Sequence, residues 1–177
     1  MKLIFDIETD NYLENCTVIH CIATENYETG EKKEFRPNEI KEGLKYLQQA
    51  DTLIGHNIQG FDIPAIKKLY PKWDTKSRVY DTLIAAKFAF PDIKEKDFAR
   101  LRKVISKPVK MRTQEDRDKL KLIGRHSLEA YGQRLGVHKG NFGKQEGFET
   151  FSEPMMAYCT QDVTVNTKLY HKLVSMG

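Results

Sequence analysis

The sequence predicts an α/β chain: a mixed five-stranded β-sheet flanked by α-helices. Three observations lead there. The opening run Lys2 to Ile7 is apolar at Leu3, Ile4, Phe5 and Ile7, two further strand-like runs follow it closely, and helix-like and strand-like segments then alternate. Three strands followed by α/β alternation imply a mixed sheet with helices on its faces.

Lys2 to Ile7 is too densely apolar for a one-sided strand and reads as a central strand buried on both faces. Thr17 to Thr24 is a second, β-branched run and Lys32 to Phe35 a third, with Tyr27-Glu28-Thr29-Gly30 as the hairpin turn between them. Asn38 to Gln49 sets Ile40, Leu44 and Leu47 at helical spacing behind a Pro37–Asn38 start signal, and Asp51 to Gly55 is the next strand. Ile63, Ile66, Lys67 and Leu69 continue as a helix, Arg78 to Asp81 is a fifth strand, and Thr82 to Phe90 is helical. Ser127 to Leu135 reads as a helix stopped by Gly136, His138 to Gly147 as a mobile loop, and Glu153 to Val174 as a long closing helix.

The chain has 177 residues, which suits one domain and is too short for a polymerase or helicase body. No apolar run approaches the roughly 18 residues of a membrane span, because Thr82 to Phe90 is already broken by Lys87. A carboxylate at position 6 argues against a signal peptide. Cys16, Cys21 and Cys159 are odd in number and lack C-x-x-C spacing, so neither a disulfide framework nor a zinc site is expected and a reducing cytoplasm suits the chain. The net charge of +4 hides an asymmetry: residues 92–125 carry 12 Lys or Arg against 6 Asp or Glu. This insertion-like segment favours a polyanionic partner, although charge alone is equally compatible with a solvated loop.

Asp6 and Glu8 lie two apart on the first strand, so both carboxylates share one face while Ile7 points to the other. A carboxylate pair on a core strand requires compensation by a metal ion or a basic side chain. Asn57 and Phe61 precede Asp62, which falls at the start of a helix beyond the carboxyl end of a strand, where α/β sheets present ligands. Taken alone, Asp62 reads as a helix cap and His56 as a hydrogen-bonded turn residue rather than a ligand. Tyr158 and Asp162, four apart, project from one face of the closing helix.

Together, D-x-E at Asp6–Glu8, N-x-x-x-F-D at Asn57–Asp62 and Y-x-x-x-D at Tyr158–Asp162 resemble the three motifs of DnaQ-like, or DEDD, 3′–5′ exonucleases. Tyr158, with Ala157 where the histidine branch has its histidine, resembles the tyrosine branch, DEDDy. Tyr80-Asp81-Thr82-Leu83 and the run His126 to Gly136 are similar to the N-terminal proofreading domain of family A DNA polymerases of short-tailed bacteriophages. The resemblance implies an RNase H-like fold and phosphodiester hydrolysis by two divalent ions, with hard carboxylate donors suiting Mg²⁺ or Mn²⁺. It also implies that Asp6, Glu8 and Asp162 hold the ion that activates water, and that Asp6 bridges to a second ion supported by Asp62. Tyr158 then orients the water, since a phenol titrating near 10 is a poor base at neutral pH.

The expected function is 3′–5′ hydrolysis of DNA, preferably single-stranded, releasing nucleoside 5′-monophosphates. The same-class alternative is a 3′–5′ exoribonuclease; the different-class alternative is a noncatalytic nucleic-acid-binding module. Thr9, Tyr12, Asn57 and Phe61 are the candidate contacts to terminal nucleotides. Arg100, Arg102, Lys103, Lys107, Lys110 and Arg112 are the candidate phosphate contacts. No polymerase sequence follows Gly177, which leads to the expectation of proofreading in trans for a separately encoded polymerase, in the host cytoplasm if phage-encoded.

Overall fold

A computed structural model of the protein describes residues 1–137 and 147–177. The stretch 138–146, most of the segment expected to be a loop, lies outside the described residues. Five strands, β1 (Lys2–Thr9), β2 (Ile19–Asn26), β3 (Lys32–Phe35), β4 (Thr52–Gly55) and β5 (Arg78–Asp81), form one sheet in the order β3-β2-β1-β4-β5. The β1–β2 and β2–β3 pairs are antiparallel, and β1–β4 and β4–β5 are parallel. Among the described residues the α-helices are α1 (Ile40–Gln48), α2 (Asp62–Leu69), α3 (Thr82–Ala89), α4 (Ile93–Arg100), α5 (Arg102–Ser106), α6 (Gln114–Lys121), α7 (Leu128–Leu135) and α8 (Glu153–Ser175). The mixed, helix-flanked sheet expected from the sequence is borne out. None of the described helices is long and apolar enough to cross a membrane.

The two-residue period of β1 divides the molecule. Leu3, Phe5 and Ile7 point to one face, where Leu44, Leu47, Ile58 and Ile66 from α1, α2 and their connections close over them. Ile4 points to the other face and meets Met155, Met156, Cys159 and Val163 of α8. Farther along, Val165, Leu169 and Leu173 of α8 pack with Ala86 and Phe90 of the α3 region and with Leu128 and Tyr131 of α7. Leu3, Ile4 and Phe5 are fully buried, as the run of apolar residues requires of a central strand.

Strand β2 begins at Ile19, two residues later than the β-branched run suggests. The Asp10 carboxylate accepts hydrogen bonds from the Thr17 and Val18 amides at 2.8 and 3.2 Å, which holds these residues in the connecting turn and out of the ladder. The basic segment is helical rather than a solvated loop. Its helices lack a continuous apolar stripe and are held by polar links instead. At the start of α6, Thr113 and Asp116 form a capping box, and Asp116 also accepts from Lys107 Nζ at 2.8 Å. In α4, the buried Asp97 carboxylate accepts from Arg134 Nε (2.9 Å) and Nη2 (2.6 Å), Arg100 Nη2 (3.1 Å) and the Gly124 amide (2.9 Å). One side chain thereby ties α4 to α7 and to the stretch between α6 and α7.

Candidate active site

The even-numbered face of β1 turns acidic toward its carboxyl end, where Asp6 and Glu8 follow Ile4. The ladder shifts register between Glu8 and Thr9, so regular pairing ends just past the carboxylates. Across them lies α8, whose spacing of four presents Tyr158 and Asp162 on one face. Asp62 arrives from the opposite side as the first residue of α2, and its Oδ2 accepts from the Ile7 backbone N–H at 3.1 Å. All five residues line a single cleft of about 660 Å³.

The turn that delivers Asp62 is fixed at several points. Gly55 ends β4 where a Cβ would stand 2.1 Å from Ile58 Cγ2, so only glycine lets the chain fold back this tightly. Asn57 adopts a left-handed conformation with φ of 61°. Asp81, buried at the N-cap of α3, accepts from the Leu83 amide and also from the Asn57 and Gln59 amides at 2.9 and 3.0 Å. His56 is a bridging residue: Nε2 donates to the His126 carbonyl (2.7 Å) and Nδ1 pairs with Thr82 Oγ1 (2.9 Å). His20 likewise reaches from β2 to the Phe148 carbonyl at 2.7 Å, holding a residue that lines the cleft.

Four carboxylates in one partly buried cleft repel one another. Burial pushes Glu8 well above the ordinary carboxylate range, and the charges of Asp6, Asp162 and Asp62 push it further. Burial also raises Asp62 to about 7, against the opposing hydrogen bond from Ile7. Cys159 lies behind Asp6, donating to its carbonyl at 3.4 Å and meeting its Oδ2 at 3.6 Å. Donor atoms of Asp6, Glu8 and Cys159 lie within 4.8 Å of one another. Burial raises the Cys159 thiol, so the group offers S–H to Asp6 and leaves hard carboxylate oxygens as the available charged donors. That donor set, with its mutual repulsion, fits a hard divalent cation.

Among the residues expected to contact substrate, Asn57 and Phe61 line the cleft. Thr9 and Tyr12 stand off it: Thr9 is buried, with its hydroxyl donating to the Asn11 carbonyl, and Tyr12 is 84% exposed. The six basic candidates also lie away from the cleft lining. Arg100 is engaged by Asp97 and Lys107 by Asp116, and Arg112 donates to the Ile105 carbonyl, whereas Arg102, Lys103 and Lys110 are exposed. The lining of the cleft is extended instead by Leu83 and Lys87 of α3 and by Arg125 to Leu128. Arg125 falls at the end of the segment singled out for its charge, but nothing in its local pattern distinguished it, and Lys87 registered only as the residue that interrupts an apolar run.

Comparison with known proteins agrees with this geometry. The chain is 30% identical, over 200 aligned positions, to the DNA-directed DNA polymerases of Enterobacteria phage T3 and Escherichia phage T7. The alignments cover 98% of this chain and 26% of each polymerase, so the chain spans about a quarter of the length of these relatives. Among solved structures, exonuclease X in complex with 5′-overhanging duplex DNA superposes with a TM-score of 0.56 at 13% identity, covering 100% of this chain and 93% of that one. Escherichia coli RNase D, an exoribonuclease, gives 0.60 at 13% identity, covering 98% and 39%. Brucella melitensis NrnC with bound Mg²⁺ gives 0.59 at 16% identity, covering 98% and 72%. The resemblance to DnaQ-like exonucleases, read from three short motifs, and to phage polymerases, read from Tyr80 to Leu83 and His126 to Gly136, is borne out over nearly the whole chain. A family model described as the RNase H superfamily matches residues 3–174, and the chain belongs to that superfamily.

Proposed function

We propose that this chain is a 3′–5′ exonuclease that hydrolyses DNA from its 3′ end and releases nucleoside 5′-monophosphates. The observation that carries the reading is the convergence of Asp6, Glu8, Asp62, Asp162 and Tyr158, from three separate elements, on one cleft. Its similarity to phage DNA polymerases supports DNA as substrate and a DNA polymerase as the enzyme it edits for.

Asp6, Glu8 and Asp162 would hold one Mg²⁺ or Mn²⁺ ion, and Asp6 with Asp62 a second. Such a pair supplies an activated water and stabilises charge on the attacking and leaving oxygens. Tyr158 orients the water through its hydroxyl, while Cys159 and the Ile7 amide fix the rotamers of Asp6 and Asp62 from behind. Asn57 and Phe61 contact the terminal nucleotide, Thr9 shapes the turn that carries Tyr12, and exposed Tyr12 stacks on a base. Arg102, Lys103 and Lys110 meet phosphates farther along the substrate, with Arg100, Lys107 and Arg112 holding the helices that carry them.

The test uses labelled DNA and RNA oligonucleotides blocked at the 3′ or the 5′ end, with and without Mg²⁺. The expected result is stepwise loss from a free 3′ end that needs the metal and favours DNA. Faster loss of RNA would make the chain an exoribonuclease. Cleavage of 3′-blocked substrate, or cleavage without metal, would refute the proposal. Binding with no cleavage in any arm would identify a noncatalytic module.

A further inference from the structure

The lining of the cleft carries both signs of charge. Besides the carboxylates it includes Lys87 of α3 and Arg125 from the α6–α7 connection. Three cations of the same region are committed to carboxylates: Arg100 and Arg134 to Asp97, and Lys107 to Asp116. Lys87 and Arg125, in contrast, form no ion pair among the described residues, and both are exposed. The Arg125 Nε donates to the Lys121 carbonyl at 2.9 Å, which anchors the guanidinium to the end of α6 and leaves its two Nη groups available. Burial, then the charges of Arg134 and Lys87, hold His126 below its ordinary value, so the Lys87 charge is felt inside the cleft.

Next to Leu83 and Lys87 on α3 is an apolar feature that the fold does not use. Leu83 and Lys87, one turn apart, face the cleft, and Ile84 and Phe88 follow each of them by one position around α3. Phe88 is 84% exposed and Ile84 43%. A phenylalanine ring so fully in water, one position along α3 from a cation of the cleft lining, matches the combination that binds single strands: cations for the backbone and an aromatic face for the bases.

We infer that Lys87, Arg125 and Phe88 form a docking track for the single strand whose 3′ end enters the cleft, the two cations holding backbone phosphates and the ring stacking on a base. The inference rests on the nuclease reading and adds the residues that guide the strand to the carboxylates.

The test measures binding of fluorescein-labelled (dT)16, with phosphorothioate 3′-terminal linkages to slow cleavage, across a salt series. For the wild type and the K87Q/R125Q and F88A variants, melting temperatures establish that each is folded. Two lost phosphate contacts should flatten the slope of log affinity against log salt by about 1.4 in K87Q/R125Q, at about 0.7 per phosphate for a single strand. F88A should bind about tenfold more weakly with the wild-type slope retained. A wild-type slope in K87Q/R125Q, or wild-type affinity in F88A, overturns the track. Digestion of unmodified (dT)16 by the wild type with Mg²⁺ separates the two levels: if it proceeds while the variants bind normally, only the track fails. If the wild type neither binds nor digests the strand, both readings fail.

Discussion

Replacing Asp97 with alanine should destabilise this protein more than any other single change in the basic segment. The carboxylate is 1% exposed and accepts from both Arg134 and Arg100 as well as from the Gly124 amide. Its removal leaves Arg134, whose side chain is 8% exposed, as a buried charge without its carboxylate, and takes the acceptor from Gly124. Breaking a buried ion pair from one side costs about 3 to 5 kcal/mol. At roughly 2 to 4 °C per kcal/mol for a chain of this size, Asp97→Ala should lower the melting temperature by about 10 °C, read by far-ultraviolet circular dichroism. The double variant D97L/R134M removes both charges and should recover at least about half of the loss. Because Gly124 precedes Arg125 and His126, the single variant should also raise KM more than it lowers kcat. A melting temperature within about 2 °C of wild type would refute the reasoning. The pH dependence has a definite sign. Burial raises the Asp97 carboxyl, but the hydrogen bonds from Arg134, Gly124 and Arg100 outweigh it and hold the group below its ordinary value. Its stabilisation is therefore complete above the ordinary carboxylate range and is lost as pH falls through the depressed value. Asp97→Asn should flatten that acid limb.

Three other outcomes are expected. Tyr158→Phe should lower turnover by about a hundredfold with Mn²⁺ binding nearly intact in calorimetric titration, whereas Asp6→Ala and Asp162→Ala should weaken Mn²⁺ binding itself; near-wild-type turnover in Tyr158→Phe would remove its proposed role. Gly55→Ala places a methyl 2.1 Å from Ile58 Cγ2 and 3.1 Å from the Phe5 carbonyl, so it should cost about 1 to 3 kcal/mol in denaturant titration and disturb the turn that carries Asp62. In EDTA, Asp62, raised to about 7 mainly by burial, contributes stability that is complete below its ordinary value of 3.8 and lost as pH rises through about 7. Melting temperatures taken between pH 5 and pH 8 should therefore fall, and Asp62→Asn should remove part of that fall; an identical decline in the variant would contradict the assignment.

The sheet and the acidic wall were legible because each depends on a short-range regularity. Leu3, Ile4 and Phe5 announce a strand buried on both faces, and the spacing of Asp6 with Glu8, and of Tyr158 with Asp162, fixes which side chains share a face. The helices of residues 93–121 were not legible. α6, with the sequence QEDRDKLK, has one apolar residue, and its integrity rests on the Thr113–Asp116 cap and the Lys107–Asp116 pair. Nor was the basic part of the cleft lining, because Lys87 and Arg125 are distant in sequence and reach one cleft with the carboxylates only through folding. The charge excess drew attention to residues 92–125, where the cation that lines the cleft, Arg125, is at the far end, beyond the stretch from Arg100 to Arg112.

The alternation along β1 also constrains how this protein can change over time. Removing or adding one residue between Leu3 and Glu8 would exchange the two rows, sending the carboxylates into the apolar layer beneath and turning the Ile7 side chain to the face that α8 covers. Viable length changes in that strand must therefore come in steps of two, while a length change in the connection after Thr9 leaves the alternation of β1 intact. Lineages that diverge from this sequence should carry their insertions there and in the helical excursion after residue 92, and almost none in the first eight positions.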